Sequence, residues 1–242
     1  MTHREHRTSS RHVTSKQTFA SRDVERILSR YSVGFRKPIP LHTTNSFHTA
    51  LAAYESSGKS SLILDAGCGT GVSTEFLART FPKSFVLGVD KSAKRLEQGA
   101  NSRNLTEEIP RDGGSSIPSN FAIFRAELMA FLQLAYEYQL HFDSIFFLYP
   151  NPWPKKSHMK RRVHLWPVAP LFPKLTAQIV CRTNWPTFAI EFARSMRILG
   201  FSEIYVERNY SVDIPLSLFE KKYVESGHKI TNVKGYRIPN TP

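Results

Sequence analysis

Leu62-Ile63-Leu64-Asp65-Ala66-Gly67-Cys68-Gly69-Thr70-Gly71 sets a short apolar run directly before three glycines on alternate positions. Short apolar runs bounded by turn residues read as buried strands, and a run apolar on both of its faces needs cover from both sides. Gly67, Gly69 and Gly71 strip Cβ atoms from the following turn, which a loop approached closely by a ligand requires. Their G-x-G-x-G spacing differs from the G-x-G-x-x-G that brings a pyrophosphate onto a helix start. From Ser61 onward, strand-like runs near 62–66, 85–90, 121–126, 142–149 and 178–183 alternate with helical patterns near 71–80, 92–102 and 127–138. That alternation predicts an α/β protein with a Rossmann-like, mostly parallel sheet and helices on both faces. A helix over 185–199, with Asn184 as its cap, Pro186 in its first turn and Gly200 beyond its end, precedes two further strands near 203–208 and 229–237. The strands then number seven, and between the last two Ser217-Leu218-Phe219-Glu220 fits a capping box closed by Gly227.

Upstream of Ser61 the spacing Val24, Ile27, Leu28, Tyr31 predicts one short amphipathic helix behind Ser21, and Phe47, Ala50, Leu51, Tyr54 predicts a second, with a proline-bearing loop over 32–44 between them. Residues 1–20 carry basic side chains and little apolar surface, so a disordered basic arm is expected there, followed by a single domain over 21–242. Residues 106–119 read as a surface loop, and Pro167, Pro170 and Pro173 predict an irregular crossover before the fifth strand.

The chain has 242 residues with 33 Lys+Arg against 20 Asp+Glu, a net charge of +13 that favours a polyanionic partner or merely a soluble basic protein. Two cysteines, Cys68 and Cys181, make neither a disulfide framework nor a metal set, so free thiols, a reducing cytoplasmic setting and no metal are expected. No apolar stretch reaches the ~18 residues that a bilayer crossing needs. A monomer or weak homodimer is expected.

Asp65, Asp90 and Glu127 fall at the ends of the first three predicted strands, where open α/β sheets bind ligands. Each also has a plainer reading: Asp65 caps the glycine turn, Asp90 caps the helix from Ser92, and Glu127 is favourable charge in a helix's first turn. Taken together, three carboxylates argue against a phosphate-rich ligand and suit an ammonium, a ribose diol and an adenine amine. S-adenosylmethionine carries all three groups and no phosphate, and the Asp-x-Gly-Cys-Gly-Thr-Gly run resembles the first motif of class I methyltransferases.

After the fourth strand comes Pro150-Asn151-Pro152-Trp153-Pro154, in which alternate prolines stiffen the backbone around an amide and an indole. Trp153 reads either as a core side chain in a rigid turn or as a platform for a flat base. Lys155, Lys156, His158, Lys160, Arg161 and Arg162 follow at once, the densest positive patch in the chain, which is a solvated face unless it grips a nucleic-acid backbone.

This stretch resembles the signature of the bacterial tRNA (guanine-N7)-methyltransferases, as do Thr183-Asn184-Trp185 and Ser217-Leu218-Phe219-Glu220, so that the similarity spans about residues 60 to 236. The resemblance implies a class I methyltransferase fold, S-adenosylmethionine at Asp65, Gly67, Gly69, Gly71, Asp90, Glu127 and Asn151, and tRNA or another structured RNA as partner. It places Trp153, the basic flank from Lys155 to Arg162, Asn184, Ser217, Phe219 and Glu220 toward the RNA, with a guanine of the tRNA variable loop as acceptor. The family carries aspartate where this chain has Asn151, in the catalytic position, and again at Asn184. Two acids have become amides, which leaves room for transfer to an exocyclic amine instead, or for a tRNA-binding paralogue with weakened catalysis. For Asn184 a helix cap, and for Ser217 with Glu220 a capping box, are the plain alternatives.

Overall fold

The computed structural model describes residues 10–31, 38–105 and 117–238. Seven strands, β1 (Ser61–Ala66), β2 (Ser84–Asp90), β3 (Phe121–Arg125), β4 (Phe142–Leu148), β5 (Thr176–Thr183), β6 (Glu203–Arg208) and β7 (Thr231–Tyr236), form one sheet in the order β3-β2-β1-β4-β5-β7-β6. The first five are parallel, while β7 runs antiparallel between β5 and β6. The helices are α1 (Asp23–Ser29), α2 (Leu41–Ser56), α3 (Val72–Thr80), α4 (Ala93–Leu105), α5 (Leu128–Glu137), α6 (Phe172–Leu175), α7 (Pro186–Ile198) and α8 (Leu218–Glu225). This is the class I methyltransferase fold, and every strand expected from the sequence is present.

Period-two alternation along β1 explains its unbroken apolarity. Leu62 and Leu64 face a large core with Phe47 of α2, Phe131 of α5 and Phe188 and Phe192 of α7, whereas Ile63 faces a smaller cluster with Leu77 and Ala78 of α3. The crossover from β4 to β5 is irregular as expected, built of three short 3-10 turns at 156–161, 163–165 and 169–171 before α6. Cys68 and Cys181 are buried free thiols. Among the described residues no helix is long and apolar enough to cross a membrane.

Two expectations need correction. Helix α2 starts at Leu41, directly after Pro40, so the expected loop over 32–44 is four residues shorter at its far end than the apolar spacing alone indicated, and its 32–37 part lies outside the described residues. Residues 10–20, expected as a disordered arm, lie against the body instead: Ser15 Oγ donates to the Pro154 carbonyl at 2.7 Å and Gln17 Nε2 to Glu191 Oε1 at 2.6 Å. Polar side chains make most of the contacts that hold this segment, with Val13 packed against the core, which is why hydropathy missed it. Residues 1–9 of the arm and 106–116 of the expected surface loop lie outside the described residues.

The glycine turn is locked from two sides. Gly67, Gly69 and Gly71 all adopt positive φ, at 86°, 61° and 82°. Helix α4 comes so close that a Cβ on Gly99 would stand 1.8 Å from the Thr70 carbonyl oxygen. On the other side Asp65 Oδ2 accepts hydrogen bonds from Ser73 Oγ at 2.6 Å and Thr74 Oγ1 at 2.8 Å, tying the first turn of α3 to the tip of β1. Burial pushes the Asp65 pKa up to about 6 against the lowering effect of those two donors, with Asp90 adding to the rise.

Two predictions follow from these locks. Gly99→Ala should lower unfolding free energy in urea by about 1 to 3 kcal/mol, because backbone has to shift to admit the methyl group. For Asp65 the folded pKa lies above the unfolded one, so folded-state stability falls as pH rises from about 4 through about 6, where only the unfolded chain has lost the proton. Asp65→Asn keeps a neutral acceptor for Ser73 and Thr74, so its stability relative to the parent should grow between pH 4 and 7, by up to about 3 kcal/mol. Parallel urea titrations across that range read the difference, and no pH dependence would count against the raised pKa.

Candidate functional site

A cavity of about 650 Å³ opens at the carboxyl ends of β1, β2 and β4, where the strand order reverses direction. Its wall includes Gly67, Asp90, Glu127, Asn151, Trp153, Lys160 and Arg161, so two of the three strand-end acids, the reacting turn and part of the basic flank meet in one place. Gly69 and Gly71 shape the turn without lining the cavity.

Asp90 Oδ2 accepts from the Gly69 N–H at 3.0 Å and Oδ1 from the Ser92 N–H at 2.8 Å, while Arg95 Nη1 lies 3.5 Å from Oδ2. Glu127 caps α5, with Oε2 accepting from the Ala130 N–H at 3.0 Å, and its own N–H donates to Thr43 Oγ1 at 3.1 Å. Asp65 departs from the expectation of a ligand-facing carboxylate. It is buried behind the glycine turn, satisfied by α3, and no part of the cavity wall.

The turn after β4 holds two strained residues: Tyr149 at φ +54° and Trp153 at φ +44°, a region that bulky side chains rarely enter. Tyr149 also lines the cavity, and its hydroxyl donates to Glu220 Oε1 at 2.8 Å. Burial first, and then the Glu220 carboxylate, push the Tyr149 pKa far up, so the phenol stays a neutral donor. Asn151 Oδ1 accepts from the Trp153 N–H at 3.3 Å. Trp153 is half-buried at the cavity rim, with the Arg161 guanidinium 4.8 Å from its ring centre and His158 edge-on at 5.7 Å.

The basic flank divides by depth. Lys155, Lys156, Lys160 and Arg161 are exposed, His158 is half-buried, and Lys160 and Arg161 reach the cavity wall. Lys156 Nζ lies 3.7 Å from Asp23 Oδ2. Arg162 corrects the expectation of an RNA-facing cation: it is 0% exposed and ion-paired with Glu191. A signal for this existed, since Met159, Arg162 and Leu165 recur at the three-residue period of 3-10 turns and all three are buried.

The later segments stand behind the site. Asn184 does not cap α7, because its Nδ2 pairs with His228 Nδ1 at 2.9 Å and Trp185 takes the cap position. Ser217 caps α8, its Oγ accepting from the Glu220 N–H at 3.1 Å. Glu220 is not substrate-facing: it is fully buried, with Arg182 Nη1 at 2.9 Å from Oε1 and the Leu216 N–H donating to Oε2. Phe219 is exposed and stacks on Tyr223 at 6.3 Å. Neither Asn184 nor the 217–220 segment lines the cavity. Sequence reasoning missed Tyr149, Arg95 and Trp166 of the wall and Gln17 and Glu191 behind the turn.

Comparison with known proteins follows the same lines. The chain is 31% identical over 180 residues, 69% of its own length and 64% of the relative's, to a tRNA (guanine-N(7)-)-methyltransferase of Burkholderia lata. It is also 55% identical over 38 residues, 16% of this chain and 14% of the relative, to a trans-aconitate 2-methyltransferase of Pseudomonas paraeruginosa. The chain thus spans less than two thirds of either relative. A solved antibiotic-related methyltransferase superposes with a TM-score of 0.50 at 16% identity, covering 82% of this chain and 95% of that one, a likeness of fold alone. Residues 59–234 match the family profile described as "Putative methyltransferase" (Methyltransf_4), and the chain belongs to that methyltransferase family.

Proposed function

We propose that this chain is an S-adenosylmethionine-dependent methyltransferase acting on tRNA, with N7 of a guanine as acceptor. The observation that carries the reading is one cavity whose wall brings together Asp90, Glu127, Asn151, Trp153, Lys160 and Arg161. The two acids suit a nucleoside with hydroxyls and an amine, Trp153 suits a flat base, and Lys160 and Arg161 suit phosphate. Family membership and the Burkholderia lata relative support the same reading.

The residues fit the cofactor. An ideal Cβ on Gly67 or Gly69 would find nothing within 4 Å, so the turn leaves open space that side chains would have filled. Asp90 and Glu127 would hold hydroxyl and amine groups, and the turn at Gly67 the amino-acid end. When bound, the cofactor supplies an electrophilic methyl group on a sulfonium.

Guanine N7 offers an in-plane lone pair and loses no proton on methylation, so positioning matters more than a general base. The Asn151 amide oxygen is taken by the Trp153 N–H, which leaves its NH₂ group to donate to the guanine O6 and orient N7. Trp153, held in a strained conformation, supplies the flat surface at the rim. The methylated ring gains positive charge, which an amide presenting its NH₂ end does not stabilise as a carboxylate would, so turnover should be modest. Lys160 and Arg161 hold phosphates of the RNA without reading its sequence. A tRNA substrate supports a cytoplasmic location.

Incubation with unmodified tRNA and methyl-labelled cofactor, followed by mass spectrometry of nucleosides, should yield labelled N7-methylguanosine. Label on an exocyclic amine, or none on any nucleoside, would overturn the assignment. In binding titrations, the double variant Lys160→Ala/Arg161→Ala should reduce the slope of log affinity against log salt by about 1 to 2, the share of two lost phosphate contacts.

A further inference from the structure

We infer that residues 10–21 brace the reacting turn from behind and that Gln17 is a positioning residue, holding the 150–154 turn through the buried Arg162. This rests on the function proposed above.

Gln17 uses both ends of its amide. Oε1 accepts from Arg162 Nη2 at 2.9 Å, and Nε2 donates to Glu191 Oε1 at 2.6 Å. Arg162 in turn donates to the Trp153 carbonyl from Nη2 at 3.0 Å and Nε at 3.3 Å, pairs through Nη1 with Glu191, and lies 4.9 Å from the Trp185 ring centre. The Ser21 N–H adds a second donor to Glu191 Oε1 at 2.7 Å, and Ser15 Oγ reaches the next carbonyl of the turn, that of Pro154, at 2.7 Å. At its other end the segment lays His12 flat on His228, with ring centres 3.9 Å apart and planes 9° from parallel, beside Asn184.

Trp153 sits at φ +44°, which persists only where the surroundings over-determine it. Arg162 provides that restraint through two bonds to one carbonyl. The plane of a buried guanidinium is set by the acceptors around it, and Gln17 is the acceptor that comes from outside the domain core. Losing Gln17 also removes a donor from a buried carboxylate, so the segment and the turn are coupled through charged groups that cannot turn to solvent.

Gln17→Met keeps length and bulk while removing all three side-chain hydrogen bonds, the third being from Nε2 to the Phe19 carbonyl at 2.9 Å. In hydrogen-exchange mass spectrometry without substrate, amides within 151–162 should exchange about tenfold faster while β1 and β4 stay protected. With tRNA, kcat should fall about tenfold to a hundredfold with KM for S-adenosylmethionine unmoved, since a displaced turn misplaces the base and not the cofactor. Unchanged exchange in the turn, a rise in cofactor KM matching the loss in kcat, or a gain in kcat, as for an inhibiting lid, would each overturn the inference. Should Gln17→Met fail to fold, Ser15→Ala cuts the neighbouring bond to Pro154 and is read by the same two measurements. If the parent methylates no RNA, the proposed function fails, while the exchange measurement still decides whether Gln17 holds the turn.

Discussion

The buried pair of Arg162 and Glu191 determines where the rest of the site can be. Taking two charges out of water costs several kcal/mol per ion, offset only when every remaining donor and acceptor is satisfied. Here Gln17, Ser21 and the Trp153 carbonyl complete the set. Burial alone would raise the Glu191 pKa, but contacts from His164, the Ser21 N–H and Arg162 prevail and hold it below the usual carboxylate range. Burial also pushes the His164 pKa down, against the raising effect of Glu191, and its ring packs edge-on against Phe188. The pair therefore fixes α7, the crossover and the turn relative to one another.

Around this anchor the strand-end acids show that capping and ligand binding are not competing readings. Asp90 caps the start of the segment leading to α4 and lines the cavity, and Glu127 caps α5 and lines it too. A carboxylate spent on a backbone N–H still offers its second oxygen or second lone pair, and the bond fixes the rotamer in which it does so. Only Asp65 has been claimed entirely by structure.

The positions of the five parallel strands were legible because each contains a short apolar run between turn residues, and the parallel sheet could be read from their alternation with amphipathic helices. The cavity could be anticipated because strand ends converge in such sheets. Depth could not. Arg162 and Glu220 look like surface charges when read singly, and their burial depends on partners 29 and 38 residues away, Glu191 and Arg182. The 10–20 segment escaped for a related reason, since its anchors are polar atoms aimed at a charge that hydropathy does not register.

The sheet's far edge has a consequence for biosynthesis. Strand β7 lies between β5 and β6 although it follows both in the chain. As the polypeptide leaves the ribosome, β6 emerges with no neighbour to join, and Tyr205 and Val206, still 56% and 39% exposed in the finished protein, wait uncovered until residues 231–236 arrive. Glu203, Glu207 and Arg208 place charge along that waiting strand, which discourages nascent chains from pairing edge to edge before the correct partner is made.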